Sequence, residues 1–322
     1  MIVPKYWAEA KTKTKFEARQ YTIKRFGWSD TSLEAAQQHA EQRVLEAIEQ
    51  LKIDQKIRRI DHKVAYNGAE GLPIREEIIS RYDDVIITRN SYGALCLNTP
   101  DVLFADIDFV TQPQSNSYFI IFFVLLASSG FGAFYFSSWF IFGIGFILSL
   151  LLTSTIAKWI FKFQQKRKGT PEQLALEKIR TFSSNYPTWH LRVYRTPNGY
   201  RILVMHQIFE PRGEQVQLFF KAIYADPYYD LMCQNQNCFR ARISPKPWRI
   251  GVERLRQGIW PVPNERIALR ENWVREYERQ AEDYSSCRFV EQFGSQMVHP
   301  KAKRVQSIHD QYCKSDSHLD IA

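Results

Sequence analysis

From Phe109 to Ala157 the chain has no Asp, Glu, Lys or Arg, and no other absence constrains it as much. Other shortages exclude whole classes of protein. Five cysteines in 322 residues, at irregular spacing (Cys96, Cys233, Cys238, Cys287, Cys313), rule out a disulfide scaffold, and 14 glycines and 14 prolines rule out a collagenous or low-complexity chain. The sequence does not open on a basic-then-apolar secretory layout, so a reducing, cytoplasmic setting is expected for the polar parts. There is no Gly-x-x-x-x-Gly-Lys-Ser/Thr loop, dinucleotide fingerprint, nucleophile elbow or His-Glu-x-x-His, which sets aside the common enzyme classes that depend on them.

What fills the uncharged stretch is Phe, Ile, Leu, Gly and small hydroxyl residues. A helix needs about 20 apolar residues to cross about 30 Å of hydrocarbon, so the run is too long for one crossing and suits two. The expected arrangement is a helical hairpin, Tyr118 to Phe136 and Trp139 to Phe161, turning near Ser137 and Ser138. Gly130, Gly132, Gly143 and Gly145 are candidates for close helix contact. Lys158, Lys162, Lys166, Arg167 and Lys168 follow the second helix, and a Lys/Arg flank marks the cytoplasmic side. Both termini are then cytoplasmic, and residues 1–110 and 166–322 are free to fold as one domain around the 111–165 insertion. A single tilted or re-entrant segment would instead separate them.

The positive charge is uneven. Residues 1–108 carry 16 basic and 17 acidic side chains, whereas residues 158–322 carry 27 and 17. A basic half beside a bilayer points first to anionic lipid, and then to phosphates or nucleic acid.

In the N-terminal part, a polar alternating stretch from Lys15 to Phe26 precedes a helix. Thr31 and Glu34 stand at capping-box spacing, and Leu33, Ala36, Ala40, Val44, Ile48 and Leu51 form an apolar stripe. A loop is expected over Tyr66 to Leu72. Strands are expected over Val85 to Thr88, Ala94 to Leu97 and Val102 to Phe109, the first two joined by an Asn90-Ser91-Tyr92-Gly93 turn. Thr170-Pro171-Glu172-Gln173 starts a helix with buried Ala175, Ile179 and Phe182. Trp189 to Tyr194 and Tyr200 to Ile208 form a second hairpin around Thr196-Pro197-Asn198-Gly199, whose Asn-Gly pair tolerates positive φ. Helices follow at about Glu214 to Tyr224 and Ile267 to Tyr284, with a strand at Phe239 to Ile243 between them. The tail from Ser315 is expected to be loose.

Within Leu103-Phe104-Ala105-Asp106-Ile107-Asp108-Phe109, strand alternation puts Asp106 and Asp108 on one face and Leu103, Ala105, Ile107 and Phe109 on the other. Paired carboxylates can hold Mg²⁺ or Mn²⁺ with positions open to substrate phosphates. Two solvated acids at a strand end have the same spacing. Arg240 and Arg242 share a strand face and lead into Ser244-Pro245-Lys246-Pro247-Trp248-Arg249, a stiff basic loop with one aromatic, able to hold phosphate or stack a base. Cys233 and Cys238 have no second pair or nearby His to complete a zinc site. His190 and His206 are single strand histidines. Glu76, Glu77 and Arg89 have nothing in the sequence to distinguish them from surface.

The order of Asp-x-Asp strand, helix, strand, tight turn and strand resembles the palm of the archaeo-eukaryotic primase superfamily. Leu103 to Phe109 matches its first motif, Pro171 to Phe182 the following helix, and Thr196 to Arg201 the place of its second motif. Phe239 to Lys246 is similar to a late basic strand. The resemblance covers roughly a third of the chain. It implies an α+β fold with an RRM/palm-like sheet, metal held by Asp106, Asp108 and a third carboxylate for which Asp226 is the candidate, and nucleotide or nucleic-acid phosphate contacted by Asn198, Tyr200, Arg201, Arg240, Arg242, Lys246 and Arg249. Arg201 stands where the family has His; it binds phosphate bidentately without titrating. The activity implied is metal-assisted nucleotidyl transfer. The alternative from another class is a non-enzymatic integral membrane scaffold or partner-binding protein whose basic half meets anionic lipid.

Overall fold

A computed structural model describes residues 1–16, 19–53, 57–61, 72–256 and 260–322; residues 66–71 of the expected loop lie outside these. The described chain is α+β, and its contacts divide it into two units: Met1–Ile107 with Phe182–Ala322, and Asp108–Thr181.

The first unit opens with an antiparallel hairpin, β1 (Tyr6–Phe16) and β2 (Arg19–Ser29), paired from Tyr6 with Ser29 to Phe16 with Arg19. The alternating stretch from Lys15 thus becomes mostly the second strand, and a further strand precedes it. Helix α1 (Leu33–Ile53) buries Ala36, Ala40, Val44, Ala47 and Leu51, the last four in one cluster with Tyr21 and Ile23 of β2. Its cap is Ser32 rather than Thr31: Ala35 N–H donates to Ser32 Oγ at 3.1 Å, while the Thr31 hydroxyl is held by Ser29 at 2.8 Å.

Strands β3 (Glu77–Tyr82), β4 (Val85–Arg89) and β5 (Leu95–Thr99) form an antiparallel meander. The expected β4–β5 turn is present. Asn90 Oδ1 accepts from the N–H groups of Tyr92, Gly93 and Ala94, and Gly93 sits at φ +105, where a Cβ would meet the Trp273 ring at 2.0 Å. The Asp-x-Asp strand is β6 (Phe104–Asp108).

The second unit consists mainly of two long helices, α2 (Ser115–Tyr135) and α3 (Trp139–Lys168), joined through Ser137 at φ +47. Both are long and apolar enough to cross a membrane. Phe119, Phe123, Phe131, Phe134, Leu150 and Leu151 are more than half exposed. Of the four glycines, only Gly145 lies at a close helix approach: a Cβ there would stand 2.2 Å from that of Ser129, while one at Gly143 would meet nothing. Helix α4 (Pro171–Asn185) follows, and its capping box is complete: Gln173 N–H donates to Thr170 Oγ1 at 3.2 Å and Thr170 N–H to Gln173 Oε1 at 2.9 Å.

The chain then forms the hairpin β7 (His190–Thr196) and β8 (Gly199–Val204). Thr196 pairs with Gly199, so the two turn residues are Pro197 and Asn198, neither at positive φ. The turn is the expected Thr196–Gly199 one, but its Asn-Gly pair does not use positive φ; Pro197 sets the φ of the first central position instead. Next come α5 (Glu214–Ile223), α6 (Pro227–Gln236), β9 (Phe239–Arg242), α7 (Asn264–Ala281), β10 (Tyr284–Ser285), β11 (Arg288–Gly294), α8 (Pro300–Cys313) and β12 (Asp320–Ile321). The tail is not loose. Ser315 is fully buried, β12 pairs parallel with β10, and Ala322 N–H donates to Ser285 O at 2.9 Å.

Two four-stranded sheets result, in the orders β3-β4-β5-β9 and β11-β7-β8-β6. Both end on the strands of interest, β9 and β6. Behind β7 and β8, Phe182, Trp189 and Phe219 pack ring to ring at 4.9 to 5.1 Å.

Candidate functional site

Strand β6 carries Asp106 half-buried and ends on exposed Asp108, while Leu103, Ala105 and Ile107 are buried as alternation requires. Arg201 of β8 comes to Asp106. Its Nε donates to Oδ1 at 2.9 Å and its Nη2 to Oδ2 at 3.2 Å, a bidentate pair that engages both carboxylate oxygens. Its remaining Nη1 donates to Arg242 O of β9 at 2.6 Å. The Arg201 side chain is 3% exposed and that of Asp106 39%, so the guanidinium is a buried charge held by one partner that reaches water. Burial works against that charge, and Asp106 outweighs it, holding the guanidinium firmly protonated.

Tyr229 of α6 completes the junction. Its hydroxyl lies 3.1 Å from Phe104 O and 3.0 Å from Arg240 O, and accepts from Arg240 N–H at 3.2 Å. Although β6 and β9 belong to different sheets, Arg201 and Tyr229 bridge them side by side with hydrogen bonds that a strand ladder would otherwise supply.

The other expected site residues are dispersed. Asp226 caps α6, accepting from Tyr228 N–H at 2.9 Å, ahead of Pro227 at the first helical position. Arg240 pairs with Glu76, which also accepts from Thr88 Oγ1 at 2.6 Å. The side chain of Arg242 meets the Tyr92 hydroxyl. Lys246 lies over the Trp248 ring at 5.5 Å, and Trp248 is half exposed beside Tyr92. Arg249 lies in a single 3₁₀ turn, Pro247–Arg249. Tyr200 is buried and Asn198 exposed at the β7–β8 turn. Glu77 and Arg89 are not plain surface either: Arg89, 3% exposed, ion-pairs with Glu77 at 3.6 Å and Glu278 at 2.6 Å, and Glu77 also holds Arg270 at 2.6 Å. Cys233 and Cys238 are buried thiols that burial pushes up, Cys238 to about 11.

Among the described residues, one group of three or more metal-ligating side chains converges: Cys287, His309 and Cys313, whose ligand atoms lie within 4.8 Å of one another. All three side chains are fully buried. His309 and Cys313 stand one helical turn apart on α8, and Cys287 lies between β10 and β11, where Ser286 N–H donates to Cys313 O at 3.1 Å. Cys287 Sγ is 3.9 Å from His309 Nε2. On the other side of the ring, Nδ1 lies 3.0 Å from Asp310 Oδ1. Asp310 is in turn held through Oδ2 by Arg192 at 3.2 Å and Gln306 at 3.0 Å. Phe104 and Tyr194 flank the imidazole at 5.4 and 4.7 Å. Burial alone would raise both thiols. Cys287 stays high, whereas its hydrogen bond, His309 and Arg201 bring Cys313 well below the ordinary thiol range.

Three features of the sequence hid this group. The i, i+4 spacing of His309 and Cys313 sits on a helix whose buried face also holds Gln306, so no apolar stripe marks it. Cys287 is 22 residues away from His309, and the last ligand adjoins a terminal tail expected to be loose. The His-x-x-x-Cys spacing was the one available signal.

No family model, curated protein or solved structure matches this chain.

Proposed function

We propose that the chain is an integral membrane protein, anchored by α2 and α3, whose first unit is a cytoplasmic binding or scaffold module rather than a nucleotidyltransferase. Aromatic side chains at the helix ends support the anchor. Tyr135 and Trp139 lie at the turn and Tyr118 and Trp159 at the opposite ends, as in interfacial belts. The 20 helical steps from Trp139 to Trp159 rise about 30 Å, the thickness of the hydrocarbon. Beyond Trp159, α3 carries Lys162, Lys166, Arg167 and Lys168, placed to meet anionic headgroups. Because 1–107 and 182–322 fold as one unit, the insertion crosses an even number of times, which supports the hairpin over a single span. The Lys/Arg flank supports a cytoplasmic first unit.

The observation that carries the non-enzymatic reading is the Arg201 fork on Asp106. A metal at Asp106 would compete with a buried guanidinium that engages both carboxylate oxygens, and displacing it would leave that charge without a partner. The rival nucleotide reading keeps the strand order β7-β8-β6, with the Asp-x-Asp strand at a sheet edge, but its third carboxylate candidate caps a helix and Arg240 is neutralised by Glu76. Lipid contact then falls to the lysines of α3 rather than to the arginines of the sheets.

Alkaline carbonate extraction of membranes from expressing cells tests the anchor. The full chain is expected in the pellet, and its release into the supernatant would overturn the reading.

A further inference from the structure

We propose that Cys287, His309 and Cys313 form a structural zinc site, a role separate from membrane anchoring. Zinc takes thiolate and imidazole ligands at about 2.3 and 2.0 Å in a tetrahedron, which sets S···N edges of roughly 3.5 Å. The observed 3.9 Å from Cys287 Sγ to His309 Nε2 is close to such an edge, so an ion would enter with small side-chain shifts. The imidazole is oriented for it. Nε2 faces the sulfurs while Nδ1 meets the Asp310 carboxylate, the carboxylate–histidine arrangement that fixes the tautomer of metal-bound histidines and raises their basicity. Arg192 and Gln306 in turn fix Asp310.

Charge balance accommodates the ion. Two thiolates neutralise Zn²⁺, Arg201 is neutralised by Asp106, and Arg192 by Asp310, so this buried nest sums to zero with the metal in place. Such neutrality matters where desolvation of a net charge is costly. Full burial of all three ligands leaves no path for a substrate, so the ion pins structure and does not catalyse. Among the described residues, Ser286 Oγ and Ser315 Oγ are buried without hydrogen-bond partners, and they neighbour the cysteines in sequence. With three protein ligands, a water would take the fourth position. The ion would tie the β10–β11 junction to the end of α8, the two segments already joined by the Ser286–Cys313 backbone bond.

The test uses the full chain, purified in detergent with a phosphine reductant. Elemental analysis is expected to find about one zinc per chain, lost in Cys287→Ser and Cys313→Ser and kept in Cys96→Ser and Cys233→Ser. Because the cysteine variants can fail to fold, the wild type is also reconstituted with Co²⁺. Thiolate-to-cobalt absorption and the intense visible bands of tetrahedral Co²⁺ are expected. Zinc at background level in folded wild type, Co²⁺ without thiolate absorption, or a Cys287–Cys313 disulfide persisting in the reductant would each overturn the site.

Discussion

Two buried polar groups stand near each other in the first unit and are built on opposite principles. At Asp106 and Arg201 every strong donor and acceptor is committed to another: both carboxylate oxygens to one guanidinium, and the remaining guanidinium arm to Arg242 O. At Cys287, His309 and Cys313 the two sulfurs and the imidazole face one another within 4.8 Å, while the outer side of the imidazole is anchored by Asp310. The first is a finished joint between sheets. The second is a set of lone pairs converging on one point. Carboxylates in a suggestive sequence pattern are therefore weaker indicators of metal than side chains whose free lone pairs converge and whose far sides are held.

The sharpest way to break the contrast is to cut the joint from each side. Asp106→Ala strands a buried guanidinium and is expected to cost about 3 to 5 kcal/mol. Arg201→Leu leaves a carboxylate that reaches water and should cost clearly less. Urea unfolding followed by tryptophan fluorescence ranks the two, and equal costs would contradict the joint. Next in size, Asp310→Asn should weaken zinc binding by about 10- to 100-fold with the fold retained, read by competition with a zinc chelator. Tyr229→Phe removes a hydroxyl shared by Phe104, Arg240 O and Arg240 N–H, for about 1 to 2 kcal/mol, and should leave zinc content unchanged.

The smallest effect is a control on acid sensitivity. His206 Nδ1 accepts from His190 N–H at 3.3 Å, and burial, aided by His190, lowers its pKa to about 4. The unfolded chain then takes the proton first, so this contribution is complete above about pH 6.5 and is lost as pH falls from there toward 4. With the ring half exposed, about 1 kcal/mol is expected. His206→Gln should flatten the urea midpoint between pH 7 and pH 5, leaving any residual slope to other groups.

Features fixed by neighbours in sequence were legible: the uncharged helical pair, the Thr170–Gln173 box, the Asn90 turn and the alternation of β6. Features fixed across long separations were not. Helix α8 buries a face that includes His309 and Gln306, so its apolar period is broken, and strand β11 alternates between partly buried and exposed residues with none fully buried. The Asp226-Pro227 pair is a helix start, and Ala225-Asp226 has the same local form as a hydrophobic-Asp metal ligand. Arg201 and Asp106 lie 95 residues apart, and nothing local to either tells a phosphate-binding arginine from one already paired.

The central claim is that Asp106 belongs to a joint and not to a metal centre. Binding of labelled nucleoside triphosphates to the detergent-solubilised full chain, with and without Mn²⁺, addresses it in wild type and in an Asp106→Asn, Asp108→Asn double variant. The account predicts no Mn²⁺-dependent binding in either protein and a lower unfolding midpoint in the variant. Mn²⁺-dependent binding by the wild type, lost in a variant as stable as the wild type, would contradict it.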